Sequence, residues 1–315
     1  MCEKFFPENN MNSPARLLIL GGSGFLSGTL ARVALAQGWA VTTVTRGQRP
    51  VTAGATPVQA DRQDRAGFAR SLAALDGTWD LVVDAIPFTP DDARQDVAVF
   101  TGRTGRLVFV STDFVYDPRQ RSNPQPERAA SYAAGGYGGL KRGAELVLQQ
   151  TAPKELPWTI LRPGHIYGPG SHMGCLPLQS RNPQLIDDIL ARRPLQLVDG
   201  GRFLQQPVFA PDLAETILDA PHHPRAAGGI FNVVGPDIVE SRDYYRVLAS
   251  LLERDVTIEE VPVAQFLAEN PDKAPFCCDR VYDLTALRAA GPKIPATTLA
   301  NGLRQQLEVM RRGSP

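Results

Sequence analysis

The sequence predicts an α/β fold in which a parallel sheet is wound on both faces by helices, and three features carry that reading. Apolar runs without polar alternation recur, as in Arg16-Leu-Leu-Ile-Leu20, which suits strands buried on both faces. Segments with helical periodicity, such as residues 25–37 and 132–150, lie between those runs. The alternation stays regular from residue 15 to about 162, which implies βαβ crossovers.

Taken in order, the first strand stops at Gly21 and Gly22, and the helix over 25–37 closes at Gly38. Strands at 40–45 and 56–60 follow, then a helix at 64–75, a strand at 79–85, a helix at 90–100 and a strand at 107–111. The polar, proline-rich stretch 117–128 reads as a loop leading to the helix over 132–150 and the strand over 158–162. Past Tyr167 the rhythm breaks. Residues 168–182, rich in Gly, Pro and Ser, form a long loop; helices at 182–192, 211–220, 241–252 and 297–312 and a strand at 229–234 come after it. The expected organisation is a polar extension over 1–14, a sheet domain over 15–166, and a smaller mixed α/β lobe over 167–315 with elements returning to the first sheet.

Composition narrows the function. The 315 residues hold 33 Lys+Arg against 33 Asp+Glu, and 43% are hydrophobic, as in an ordinary globular protein. Balanced charge leaves no electrostatic footprint for nucleic acid or an anionic membrane. No apolar run reaches the roughly 20 residues of a membrane helix. The start is polar, without the apolar stretch of a secretory signal, and Met11 is an alternative start. The cysteines Cys2, Cys175, Cys277 and Cys278 show no zinc-ligand spacing, and the adjacent pair cannot readily form a normal disulfide. The expectation is a cytoplasmic protein working on a small molecule, with no metal, no nucleic acid and no membrane.

Two motifs carry chemistry. Gly21-Gly-Ser-Gly24-Phe-Leu-Ser27-Gly28 lies where the first strand meets the first helix, so its backbone can approach a pyrophosphate while the helix N-terminus offers N–H groups and partial positive charge. Ser27 stands in the place of the third glycine. At the end of the second strand, where an acid normally holds a ribose 2′-hydroxyl, the chain reads Thr45-Arg46-Gly-Gln-Arg49. Arginine there suits a 2′-phosphate, so NADP(H) is preferred over NAD(H), unless Arg46 and Arg49 are only solvated. Further on, Tyr137-Gly-Gly-Leu-Lys141 puts a phenol and an ammonium on one helix face. A nearby ammonium lowers a phenol pKa toward neutrality and makes it a usable general acid/base. Ser111-Thr112 ends another strand about 25 residues earlier and supplies a hydroxyl to hold a substrate carbinol.

On these residues, with Asp61-Arg-Gln-Asp64, Leu161-Arg-Pro-Gly-His-Ile-Tyr-Gly-Pro169, Tyr282-Asp-Leu and Leu299-Ala-Asn-Gly-Leu303, the chain resembles the extended short-chain dehydrogenase/reductases, the NAD(P)-dependent epimerase/dehydratase group, over about 15–312. The resemblance implies a Rossmann-like domain with a C-terminal substrate lobe. It implies Tyr137 as acid/base, Lys141 lowering its pKa and holding the nicotinamide ribose, and Thr112 orienting the substrate oxygen. Gly21, Ser23, Gly24, Phe25, Leu26, Arg46, Asp61 and Arg62 would meet the adenosine and phosphates, with Asp61 on the adenine amino group. Ala85 and Ile86 would lie near the pyrophosphate, after an Asp84 that departs from the family's usual His. Pro163 and His165 would lie beside the nicotinamide.

Departures from the pattern bear on the reaction. Phe114 replaces the glutamate that sugar-nucleotide 4,6-dehydratases use as a base, so dehydration is not expected. The segment Ser111-Thr-Asp-Phe-Val-Tyr-Asp117 is closer to that of deoxysugar 4-keto reductases. Asp113 is read either as a substrate contact or as a turn cap, and His165 either as a substrate ligand or as a hydrogen-bonded loop residue. Gln205 stands where relatives grip a diphosphate with arginine, which puts a nucleoside-diphosphate sugar in doubt unless Arg202 or Arg181 supplies the charge. The implied activity is reduction or epimerisation at a secondary alcohol or ketone of a sugar-like molecule, in a possible homodimer. The competing reading is a catalytically idle dinucleotide-binding sensor or an RNA-associated relative. His172, Met173 and Cys175 are expected to pack the loop, His222 and His223 to face solvent, and Cys277 and Cys278 to fill core.

Overall fold

The computed structural model describes residues 14–128 and 130–313. Cys2, Met11 and nearly all of the polar extension lie outside them. Among the described residues no helix is long and apolar enough to cross a membrane.

Seven strands form one parallel sheet: β1 (Arg16–Leu20), β2 (Ala40–Thr45), β3 (Thr56–Gln59), β4 (Leu81–Asp84), β5 (Leu107–Val110), β6 (Trp158–Pro163) and β7 (Gly229–Val233), in the order β7-β6-β5-β4-β1-β2-β3. The chain runs outward from β1 to β3, then returns to β4 beside β1 and runs the other way. The strand order therefore reverses between β1 and β4, and a crevice opens at their C-terminal ends. The apolar runs predicted the central strands because each is buried on both faces: Leu17 to Leu20, Leu81 to Val83 and Leu107 to Phe109 are all fully buried.

Helices α1 (Phe25–Ala36), α2 (Arg65–Ala73), α3 (Pro90–Phe100) and α4 (Gly136–Gln149) cover the sheet. Local chemistry sets their starts. Asp64 caps α2 by accepting from the Gly67 N–H, and Thr89 caps α3, whose first residue is Pro90. Three apolar clusters result. One lies on the α1 face of the sheet, one between the sheet and α2, α3 and α4, and one inside the C-terminal lobe.

The C-terminal residues do return to the sheet. β7 adds to it beside β6, and the helix Ala210–Asp219 packs against α1. Helices Leu185–Leu190 and Ser241–Leu251 form the third cluster with Leu299–Arg311. A parallel pair, Leu195–Val198 with Ile258–Val261, was not expected from the sequence. Met173 and Cys175 are buried in this lobe, as loop packing predicts. His222 is exposed, whereas His223 is half-buried and bonds to Asp219, which corrects its reading as a solvent-facing residue. Cys277 and Cys278 are half-buried rather than core.

Candidate active site

Two cavities meet at the crevice. The first, of about 320 Å³, is walled by Gly21, Ser23, Gly24, Ser27, Arg46, Arg49, Asp61 and Arg62. The second, of about 420 Å³, is walled by Leu26, Ala85, Thr112, Asp113, Tyr137, Lys141, Pro163, His165, Arg181 and Arg280. Ile86 and Phe88 line both, so one elongated ligand can run from the arginines to the tyrosine.

The glycine turn that joins β1 to α1 admits no side chain at its second position. Gly22 has φ 128°, and a Cβ there would stand 2.6 Å from the Thr43 Cβ of β2. Ser27 replaces a glycine without blocking the turn, because its Oγ folds back and accepts from the Gly24 N–H at 3.1 Å. The first turn of α1 holds no acidic residue, so its N–H groups and dipole face the first cavity uncontested. Arg46 and Arg49 stand exposed at its rim, beyond the end of β2. A pyrophosphate over the turn, an adenosine toward Arg46 and a nicotinamide toward Tyr137 fit this shape and charge.

Tyr137 opens α4 and is half-exposed in the second cavity, its ring edge-on to Phe114 at a centroid distance of 6.1 Å. The helix sits close to the turn after β5: a Cβ at Gly138 would lie 2.0 Å from the Phe114 carbonyl oxygen. One turn along α4, the buried Lys141 Nζ donates to the carbonyl oxygens of Val110 at 2.6 Å and Pro87 at 2.8 Å. Burial lowers its pKa to about 8, against the pull of Asp84 and Glu145. The Tyr137 phenol, by contrast, is raised by burial and by Asp113, and only a hydroxyl contact with Thr112 draws it back. The spacing predicted that Lys141 would lower it; in this structure the ammonium is held by two main-chain carbonyls instead.

Glu145 lies a further turn on, fully buried. It accepts from Arg162 Nε at 2.9 Å and Nη2 at 2.6 Å, from Ser111 Oγ at 2.6 Å and from Arg142 at 2.9 Å. Arg162, on β6, is itself fully buried and also donates to the Tyr116 hydroxyl at 3.1 Å. This pair ties α4, with Tyr137 and Lys141, to the ends of β5 and β6.

The NAD dependent epimerase/dehydratase family model matches residues 93–234, a span from α3 through β7 that contains Tyr137, Lys141 and Thr112. Over that span, somewhat less than half of its length, the chain is similar to that family. It is 27% identical over 248 residues to the chloroplast stem-loop binding protein of 41 kDa b of Arabidopsis thaliana, covering 72% of this chain and 61% of that protein. It is 30% identical over 163 residues to the dTDP-4-keto-6-deoxy-D-glucose reductase of Streptomyces niveus, covering 52% of each. The chain thus spans about half to three-fifths of the length of these curated relatives. Among solved structures, the dTDP-glucose 4,6-dehydratase of Bacillus anthracis in complex with NAD superposes with a TM-score of 0.75 at 17% identity, over 95% of this chain and 97% of that one, and so shares the fold.

The sequence-selected residues do not all converge. Gly21, Ser23, Gly24, Arg46 and Asp61 line the first cavity; Leu26, Ala85, Ile86, Pro163 and His165 line the second. Phe25 starts α1 beside them, under the Arg181 guanidinium. Asp61 is exposed and accepts from the Gln63 N–H at 2.9 Å. Arg62 is corrected: it forms cavity wall, but its buried guanidinium is committed to Asp84 and Asp96, with Asp92 and Gln95 adjoining. Burial and the neighbouring Asp84 push the Asp96 carboxyl well up, so the cluster carries little free charge.

Asp113 is corrected as well. Its carboxylate is buried and already bonded to Arg280, Arg121 and the Tyr282 hydroxyl. Burial works to raise its pKa, and the two guanidiniums more than offset that. Arg202 lies at the surface, paired with Asp199 and Glu260 and outside both cavities, so it is removed from the candidate substrate contacts. Gln205 is buried, with neither amide atom hydrogen-bonded. His165 stays in the wall, its imidazole lowered to about 4 by burial and by Arg181 and Arg280.

Sequence reasoning missed Arg280 and Glu145. No motif marks Arg280, which reaches the cavity from the far end of the chain. Glu145 was legible in principle: an acid four residues after Lys141 falls on the same buried face of α4.

Proposed function

We propose that the protein is a reductase that uses NADP(H) on a ketone of a small, polyhydroxylated molecule. The observation that carries this reading is the grouping of Thr112, Tyr137 and Lys141 around one cavity, with Phe114 where dehydration needs a base. The identity with the Streptomyces niveus reductase supports it from outside the structure. When bound, the nicotinamide ring would supply hydride to the carbonyl carbon. Thr112 would hold the carbonyl oxygen, and Tyr137 would give it the phenolic proton. A phenol raised by burial is protonated at neutral pH, which suits proton donation. Lys141 would hold the dinucleotide ribose. Epimerisation shares this half-reaction and is separated from net reduction by whether the dinucleotide exchanges at each turnover. The test of transfer is mass spectrometry of products formed from a panel of small ketoses and 4-deuterated NADPH. One deuterium in the product alcohol is expected, and no transfer from either NADPH or NADH across the panel overturns the reading.

Two further outcomes follow for the dinucleotide. Arg46→Ala weakens NADPH by about tenfold or more, the loss of charge-assisted contact to a phosphate, and leaves NADH nearly unchanged. Equal losses in fluorescence titrations would remove the case for a 2′-phosphate. Affinity should also fall as pH rises through about 8, where the free protein's Lys141 loses its charge. The sign follows from the direction of the shift: the ammonium form is present below that pH and lost above it. Lys141→Met removes this limb of the profile.

A second reading, binding of a structured RNA, is favoured by the identity with the Arabidopsis stem-loop binding protein and disfavoured by a formal net charge of zero. Filter binding with a stem-loop RNA at two salt concentrations separates it from the first.

A further inference from the structure

Hydride transfer leaves unused the adjacent thiols of Cys277 and Cys278. Both are free and half-buried, whereas Cys175 is fully buried and burial pushes its thiol up to about 12. The pair follows the turn Pro271–Phe276, in which no residue is buried, so this segment can shift without opening the core. Cys278 Sγ donates to the Pro275 carbonyl oxygen at 3.6 Å. The same oxygen accepts from the buried Arg280 Nη2 at 2.9 Å.

The two thiols are flanked by the wall of the second cavity. On their N-terminal side Phe276 meets Phe114 edge-on at a centroid distance of 5.5 Å, and Phe114 in turn meets Tyr137. On their C-terminal side Arg280 lies over the Phe114 ring at 4.6 Å and pairs with Asp113. Phe114, Asp113 and Arg280 all line the cavity, so a movement of the 277–278 peptide reaches it from both sides. Arg121 and Arg280 both lie near Cys278. An electropositive, partly exposed setting of this kind is where thiols react.

Adjacent Cα atoms stand about 3.8 Å apart across a trans peptide, closer than the roughly 4.4 Å lower end of ordinary bridges. A bond between these two sulfurs would strain the backbone. Strained disulfides are the easily reduced ones, suited to switching rather than to stapling a fold.

We propose that Cys277 and Cys278 are a redox-active dithiol, and that its closure by a small disulfide of the glutathione class rearranges the substrate half of the cavity. One thiolate attacks a sulfur of the small disulfide and expels one thiol, leaving a mixed disulfide. The other thiolate attacks the protein sulfur of that bond and expels the second thiol. The two cysteines lose two electrons and two protons, and the small disulfide is reduced to two thiols that take them up. Closing the ring turns the 277–278 peptide, which draws Phe276 off Phe114 and loosens Arg280 from Pro275.

The test equilibrates the full chain with glutathione mixtures from fully reduced to fully oxidised, followed by alkylation and tryptic cleavage. Cleavage after Lys273 and Arg280 leaves both cysteines on one peptide, residues 274–280. In the oxidised protein that peptide is expected to escape alkylation and to be lighter by the two thiol hydrogens, and dithiothreitol restores it. Amide hydrogen exchange is expected to quicken over 271–284 and over 113–121. In the double variant Cys277→Ser, Cys278→Ser it stays as in the reduced protein. A glutathione adduct as the end product, a link to Cys2 or Cys175, or no loss of thiols overturns the proposal. Ring closure with unchanged exchange over 113–121 overturns the coupling to the cavity. Neither readout needs turnover, so failure of the reductase reading is told apart from failure of this inference.

Discussion

Tyr137→Phe is expected to lower turnover by about 10²- to 10⁴-fold, the contribution of a positioned general acid/base, while dinucleotide affinity stays as in the wild type. The variant removes one oxygen. Its ring keeps the contacts with Phe88 and Phe114, whose centroids lie 6.2 Å and 6.1 Å away, so packing is preserved. The pH profile separates a proton donor from a merely structural phenol. Because burial holds the phenol above its ordinary range, the reductive rate stays level through neutrality and falls only in alkali, as the donor ionises. That alkaline fall disappears in the variant's residual activity. Steady-state rates across pH, beside a dinucleotide titration of both proteins, check each part. Full turnover in Tyr137→Phe would falsify the assignment.

The largest effect on stability is expected from Glu145→Ala. It leaves Arg162 charged and fully buried without its bidentate partner, and it strips an acceptor from Ser111 and Arg142. Breaking a buried pair in this way costs about 3–5 kcal/mol, read as a lower denaturant midpoint at unchanged slope. Removing both charges with Arg162→Met and Glu145→Leu together should cost less than the single change, since no unpaired ion remains. The pair also sets an acid limit. Burial opposes ionisation of Glu145, but Arg162, Ser111 and Arg142 hold its pKa below the usual glutamate range. A carboxyl depressed on folding contributes stability above its unfolded pKa and loses it as pH falls through the folded one, so acid sensitivity should diminish in Glu145→Ala. A midpoint equal to the wild type would show that the network carries no stability.

The sheet was legible because its signals are local. β1, β4 and β5 are apolar runs bounded by glycine, proline or polar residues, and burial on both faces leaves no competing pattern, whereas the exposed edge strand β3 is marked only by its place after β2. Boundaries were less so. The helix expected from 132 begins at Gly136, because Tyr132 pairs with Tyr116 in a bridge and Gly136, at φ 63°, makes the turn into the helix. The strands Leu195–Val198 and Ile258–Val261 are short and find each other across about sixty residues, so neither carries a signal alone.

The candidate site divides along the same line. Gly21 to Ser27, Thr112, Tyr137 and Lys141 were readable from spacing because each lies at a strand end or on a single helix face. Arg62 and Arg202 were misread because a guanidinium's partner is a tertiary fact: Asp84 and Asp96 hold one, Asp199 and Glu260 the other. Arg280 was invisible for the complementary reason. It meets Asp113 across 167 positions of sequence, and no motif joins them.

We propose that the crevice between β1 and β4 takes a dinucleotide whose 2′-phosphate meets Arg46. A calorimetric titration of the full chain with NADPH, repeated with NADH, tests it most directly. One molecule of NADPH per chain is expected, bound more tightly than NADH. Failure of both to bind would contradict the reading of the crevice, and tighter binding of NADH would contradict the role given to Arg46.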